Sequence, residues 1–245
     1  MAHPSRNRFR ASRIARVREP APPEENLVVR VQMPIVGLIN NDAITTWFNS
    51  VVGGPNATQS TAINKPQYKI DAGVHSVKFN AGGDGHDFFT IALDTSAYTA
   101  ASIFVVIKAE SDPSVGGDAG LWTLSDADFN AHYPFTDGVV YDNAWSTVRK
   151  TVGNLTPDLS TQYRLYDVIS ASGSWKARLD TVEVFSTGTN TVDGATSLEI
   201  GRGNIAAGNF GFAGNMKELL IYSAALSTIQ RDTMDEYIDY KFNIP

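Results

Sequence analysis

Cleaving a glycosidic bond needs two carboxylates on one face, and Glu110-Ser-Asp112-Pro-Ser-Val115 is the nearest approach to such a pair within one segment. On a strand, Glu110 and Asp112 would project together. Val115 stands where a third carboxylate would complete the E-x-D-x-x-E pattern, and Pro113 breaks the alternation. Glu183, Glu199, Glu218 and Glu236 have no acidic partner two or four residues on. His75, His86 and His132 accompany many Ser and Asp, but no G-x-S-x-G elbow is present. His132, flanked by aromatics and Pro134, reads as a packed or loop histidine. Gly201-Arg-Gly203 is too short for a dinucleotide fingerprint, and no phosphate-cradling G-x-x-x-x-G-K-[ST] occurs. Zero cysteines exclude disulfides, thiolate metal sites and thiol nucleophiles. Sequence alone therefore predicts no catalytic residues and no enzyme.

Binding chemistry is better represented. Hard cations are held by clustered oxygens, and Asp84-Gly-His-Asp87 and Asp126-Ala-Asp128 are oxygen-rich loops that could hold calcium, although Asp and Gly also simply make turns. Trp122, Tyr133, Phe135, Tyr141 and Trp145 gather within a short stretch with Asp137 and Asn143. Aromatic rings can stack on the apolar face of a sugar while Asp and Asn take its hydroxyls. Trp122 and Phe135 read as core. For Tyr141 and Trp145, with Asp137 and Asn143, both readings stand: core aromatics or a glycan platform.

The start of the chain differs from the rest. Residues 1–18 hold Arg6, Arg8, Arg10, Arg13, Arg16 and Arg18, six of the 20 basic side chains, and none of the 26 acidic ones. A basic arm thus precedes an acidic body, and the overall charge of −6 hides the asymmetry. An acidic body repels nucleic acid, so the arm suits docking along an acidic protein surface better than phosphate binding. Glu19-Pro-Ala-Pro-Pro-Glu-Glu-Asn26 reads as a semi-rigid spacer that uncouples the arm. No apolar run is long enough to span a bilayer, and none follows the basic start, so neither a membrane span nor a secretory signal is expected.

Short apolar runs spaced by Gly, Asn, Asp and Pro position these residues on a β-sandwich. Strands are expected at Leu27–Met33, Tyr68–Ile70, Ser76–Phe79, Phe88–Leu93, Ser102–Ala109 and Leu121–Leu124. Others are expected at Tyr163–Ser170, Trp175–Leu179, Val182–Phe185, Leu198–Gly201 and Phe210–Tyr222. Ile103-Phe-Val-Val-Ile107 is apolar throughout, as in a strand covered on both faces, whereas Lys176 and Arg178 alternate with Trp175, Ala177 and Leu179 as on a strand with one wet face. One helix is expected, near residues 227–241. Ser227 and Gln230 have capping-box spacing, and Ile229, Met234, Tyr237, Ile238 and Phe242 form its apolar side.

The closing segment resembles that of laminin-G-like, concanavalin A-like jelly rolls, in which E-x-x-x-Y-x-x-x-L-S leads to a helix ending Y-[IL]-x-x-K-[FYW]. Glu218, Tyr222, Leu226, Ser227, Tyr237, Ile238, Lys241 and Phe242 occupy those places. Thr46-Trp47, Asn56-Ala57, Lys65-Pro66-Gln67-Tyr68, Val77-Lys-Phe79-Asn80, Ile200-Gly201 and Phe212-x-Gly214 resemble further elements in the same order. His132-Tyr-Pro-Phe-Thr-Asp-Gly-Val-Val-Tyr-Asp142 resembles a segment of a phage-borne subgroup. The chain departs after Trp175, where Asp180-Thr181 replaces the Asn-Gly usual at that hairpin.

The resemblance implies an all-β antiparallel sandwich of jelly-roll type over residues 27–245, with one C-terminal helix and an extended arm and linker over residues 1–26. It implies no cofactor other than calcium at the loop rim. It also implies a non-enzymatic virion structural protein, present in many copies on a phage-like particle. The arginine arm would bind a capsid or tail protein, and the body could display host-glycan binding. The alternative is a secreted or cell-surface carbohydrate-binding lectin module, and a glycoside hydrolase, which the carboxylate pattern argues against, ranks third.

Overall fold

The computed structural model describes residues 19–81, 86–110, 120–127, 131–203 and 211–244. The arginines of residues 1–18 lie outside it, as do Asp84, Asp112 and Asp128. In chain order the strands are β1 (Leu27–Gln32), β2 (Thr46–Trp47), β3 (Ala57–Thr58), β4 (Gln67–Asp71), β5 (Val74–Phe79), β6 (Phe89–Ile91), β7 (Ala100–Ala109) and β8 (Trp122–Thr123). They continue as β9 (Val139–Asp142), β10 (Lys150–Asn154), β11 (Arg164–Ala171), β12 (Ser174–Leu179), β13 (Val182–Thr187), β14 (Leu198–Ile200) and β15 (Gly214–Tyr222), before helix α1 (Thr228–Phe242).

All pairings are antiparallel. A large sheet runs β13-β12-β11-β7-β15-β5-β4, with β1 also on β15, and a five-stranded sheet runs β2-β3-β6-β14-β8. The two sheets enclose the main core, to which β7 contributes Ile103, Val105 and Ile107. Phe104 and Val106 on its other face join Leu165, Leu220, Tyr222, Met234, Tyr237 and Ile238 in a second core under α1. Cover on both faces explains the unbroken apolar run in β7. The described residues therefore form an all-β antiparallel sandwich with one α-helix.

Helix α1 starts where its cap requires. The Ser227 side chain accepts from the Gln230 backbone N–H and the Gln230 side chain accepts from Ser227 N, which satisfies two otherwise unpaired donors. The helix ends at Asn243, left-handed at φ 55°, whose N–H donates to Asp239 O. Met234, Tyr237 and Ile238 are buried, but Ile229 is 78% exposed. Ile229 is five residues before Met234 and so falls on a different side of the helix.

Other expectations change for physical reasons. Arg178 is not on a wet face: α1 covers it, and its guanidinium bonds Asp167 at 3.0 Å and Asp235 on the helix at 2.9 Å. The proline segment is not an uncoupled spacer. Pro22 is buried, Pro23 O accepts from Tyr222 Oη at 3.0 Å, and Ser223 N donates to Asn26 O at 2.9 Å. Strands β2, β3, β9 and β10 lie outside the expected runs.

The hairpin that joins β12 to β13 has Leu179 opposite Val182, and both turn residues are left-handed: Asp180 at φ 47° and Thr181 at φ 71°. The type I′ twist is thus kept without Asn-Gly. Asp180 is held there by Arg164 Nη1 at 2.8 Å and Leu165 N at 2.9 Å. Thr181 has no such compensation among the described residues, and a β-branched residue is strained at positive φ. Thr181→Gly should stabilise the fold by about 1 kcal/mol, raising the melting temperature by about 2–4 °C in calorimetry.

Asp142 connects β9 to the core. It is fully buried and accepts from Trp122 Nε1 at 3.0 Å, Tyr166 Oη at 2.9 Å and Ala144 N at 2.9 Å. Burial outweighs these donors and pushes its carboxyl up to about 6. Between the unfolded value near ~4 and about 6 the folded state binds the extra proton, so this contribution to stability is present below that window and lost as pH rises through it. The loss amounts to at most about 3 kcal/mol. Denaturant melts at pH 4 and pH 7 should show the wild type losing stability relative to Asp142→Asn as pH rises.

Candidate functional site

The structure divides the aromatic stretch that the sequence groups together. Trp145 is completely buried, its indole donates to Thr95 Oγ1 at 3.3 Å, and its carbonyl accepts from Ser170 Oγ at 2.7 Å. It cannot offer a ring face to a ligand. Asn143 is 5% exposed and donates to Ser125 Oγ at 3.1 Å. Trp122 is core, stacked on Tyr166 with centroids 5.9 Å apart. Tyr141 and Asp137 remain at the surface and bond to each other at 2.8 Å. The Tyr141 ring packs edge-on to Phe135 and buried His132, with the Arg149 guanidinium 4.7 Å from its centroid. This is a self-satisfied surface cluster. Its hydroxyl and carboxylate are engaged with each other.

The calcium loops are similarly divided. Asp87 is nearly buried and its carboxylate closes a turn by accepting from Asn80 N at 2.9 Å and Nδ2 at 2.7 Å. Asp126 borders a shallow cleft of about 230 Å³ with Thr123, Ser125 and Glu199. Among the described residues no three of His, Asp and Glu gather to hold a metal.

A different set of residues converges on the outer face of the large sheet. Helix α1 covers the part of that face formed by Phe104, Val106, Leu165, Leu220 and Tyr222. Beyond the helix a groove of about 410 Å³ crosses β4, β5, β15 and β7. Strand register builds its floor. Gln67 lies opposite Lys78, Lys78 opposite Asn215, and Asn215 opposite Lys108, so these side chains form one cross-strand row. Lys69 lies opposite Ser76 in a neighbouring row, and Ser76 Oγ donates to Asn215 Oδ1 at 3.2 Å. The intervening residues Tyr68, Val77 and Met216 point into the core.

Tyr163 forms the border with the helix. It lines the groove and also packs on the cluster beneath α1. Lys217 Nζ stands 4.0 Å from its ring centroid and 5.4 Å from that of Phe242. A register shift between Met216 and Glu218 puts both Lys217 and Glu218 on the outer face, where strict alternation would hide one of them. Burial lowers the Lys217 ammonium below its usual range. Burial also raises the Tyr163 hydroxyl, against the opposing Ser76 hydrogen bond.

Two carboxylates line the same groove. Glu110 sits 3.4 Å from Lys78, and Asp71 stands at the end of β4. Sequence reasoning seeks acid pairs within one segment and misses this one, because Asp71 and Glu110 come from different strands. The groove therefore combines an aromatic ring, a hydroxyl, an amide, ammonium groups and two carboxylates.

No protein-family model matches the chain, and no curated protein matches it. Solved structures do share its fold. The sialidase of Trypanosoma rangeli in complex with sialic acid superposes with a TM-score of 0.61 at 11% identity, over 87% of this chain and 33% of that one. Domain 4 of AbnA, a GH43 extracellular arabinanase from Geobacillus stearothermophilus, in complex with arabinotriose, gives 0.56 at 14% identity, over 86% of this chain and 98% of that domain. An arabinofuranosidase complexed with arabinofuranosyl-alpha-1,2-xylobiose gives 0.56 at 12%, over 80% and 50%. The chain thus spans about a third of the sialidase and about half of the arabinofuranosidase.

These likenesses correct two expectations. A non-enzymatic virion structural protein does not agree with neighbours that are glycan-cleaving enzymes or a domain of one, and the exclusion of enzymatic activity falls with it. The carbohydrate-binding alternative agrees better.

The division of the aromatic stretch is testable by substitution. Trp145→Ala should cost about 3–5 kcal/mol in chemical denaturation, as for a large side chain removed from a core. Tyr141→Ala should cost less than about 1.5 kcal/mol, because only surface contacts are lost.

Proposed function

We propose that this sandwich is a carbohydrate-binding domain and that the groove beside α1 is its glycan site. The observation that carries the reading is Tyr163, a half-buried ring that lines the groove with Asn215, Lys78 and Lys108 on a polar floor that the helix leaves uncovered. An aromatic surface beside a few convergent polar groups is the usual composition of a small-molecule site, and a sugar presents both an apolar face and hydroxyls. Domain 4 of the arabinanase, whose whole length this fold matches, was solved holding arabinotriose, which favours the same use here. We read the sandwich more finely as a laminin-G-like, concanavalin A-like jelly roll, supported by the order of motifs that ends in Tyr222, Leu226 and the capped helix.

A second reading rests on Asp71 and Glu110. Two carboxylates in one groove are what glycoside hydrolysis requires. Release of reducing ends from a bound oligosaccharide, lost in both Asp71→Asn and Glu110→Gln, would establish it. Unchanged hydrolysis in both variants would refute it.

The binding reading is checked by calorimetric titration of the protein with a panel of oligosaccharides of two to four rings, acidic and neutral. Tyr163→Ala should weaken binding about 10- to 100-fold, from loss of ring contact worth roughly 1.5–3 kcal/mol. Tyr141→Ala should leave it unchanged. Binding that survives Tyr163→Ala would place the site elsewhere.

A further inference from the structure

We infer that the groove is selective for anionic sugars, those carrying a carboxylate or a sulfate, a conclusion that rests on the glycan-binding reading and narrows it. Lys69, Lys78 and Lys108 line the groove and Lys217 sits against the Tyr163 ring at its border, with only Asp71 and Glu110 as acids in the lining. This is an unusual place for positive charge, because beyond residue 18 the chain has nearly twice as many acidic as basic side chains.

The cations are also mostly uncommitted. Lys78 takes Glu110 at 3.4 Å, which engages one carboxylate. Lys69 reaches only the neutral Asn41 amide, at 3.3 Å. The Lys108 ammonium makes no hydrogen bond or ion pair, and the Lys217 ammonium contacts two aromatic rings but no carboxylate, among the described residues. Lys217 is half-buried, and a charged group removed from water without a counter-charge is costly. A ligand anion seated between Lys108 and Lys217 would supply that counter-charge. Its ring could then lie in the groove beside Tyr163, with hydroxyls toward Asn215. Lysines act on an anion as point charges without fixed fork geometry, so carboxylate and sulfate share this recognition chemistry.

The test titrates the 245-residue chain with trigalacturonic acid, its fully methyl-esterified form and a sulfated disaccharide by calorimetry. Esterification removes the charge and leaves the rings. The acid should bind at least tenfold more tightly than the ester, and the advantage should shrink on raising salt. Lys108→Gln and Lys217→Gln should each reduce the acid-over-ester ratio at least threefold. The six arginines of residues 1–18 are common to all these proteins, so differences among them read the groove. Tighter binding of the sulfated sugar with the same lysine dependence would support the inference and assign sulfate as the source. Equal affinity for acid and ester, both lost in Tyr163→Ala, would overturn the anion preference while leaving the glycan site intact. An acid preference unchanged in both lysine variants would locate the charge selection outside the groove and overturn it. Failure of all three ligands, and of the neutral sugars, to bind would overturn both readings.

Discussion

Glu218 is the point on which the outer layer depends. It sits in the middle of β15 with no solvent exposure, beneath α1. Arg30 from β1 donates to it at 2.9 Å, Tyr237 from the helix at 2.7 Å and Lys241 at 2.7 Å. A buried carboxylate without partners is strongly unfavourable, so the helix, β1 and β15 must assemble together or leave that charge stranded. Removing one partner of such a group typically costs about 3–5 kcal/mol, far more than an exposed pair contributes. Arg178 performs the same service farther along, tying β11 and β12 to Asp235 on the helix. Together the two ion networks fix where the helix lies across the sheet, while Met234, Tyr237 and Ile238 supply the apolar contact.

The position of the helix in turn defines the groove. One outer face carries two surfaces of opposite character: apolar under α1, and polar across β4, β5 and the first half of β15. The register shift at Lys217 marks the boundary. By placing Lys217 and Glu218 on the same side, it gives one residue to the groove and the other to the helix anchor. A strand of strict alternation could not serve both. The groove is therefore a by-product of incomplete cover, lined by side chains that need no burial.

Much of the scaffold was legible in the sequence. The capping box at Ser227 and the unbroken apolar run of β7 each reflect a local requirement that the fold keeps. The site was less legible. Lys69, Lys78, Lys108 and Asn215 each look like ordinary solvent-facing positions, and only strand register brings them into adjacent rows. Asp71 and Glu110 belong to different segments, so no local spacing announces them. Trp145 is open to both readings in the sequence because its neighbours are polar; in the fold its indole is enclosed and donates to Thr95, its carbonyl accepts from Ser170, and Asn143 is satisfied by Ser125. Arg178 looked wet because its strand alternates, and the helix that covers it lies more than fifty residues away.

The docking of residues 19–26 bears on how the chain could be connected. Pro22 is buried, Pro23 binds Tyr222, and Glu19 lies beside Tyr240 in a cleft at the end of the helix. Ile244 is buried in the same cluster that α1 closes. The first and last described segments therefore lie against one layer, both fastened to it. A short bridge between them, with new ends opened at an exposed turn such as Ala72-Gly73, would preserve every pairing of both sheets. The architecture is thus closer to a ring than to a line: circular permutation would change the order of synthesis without changing which surfaces meet.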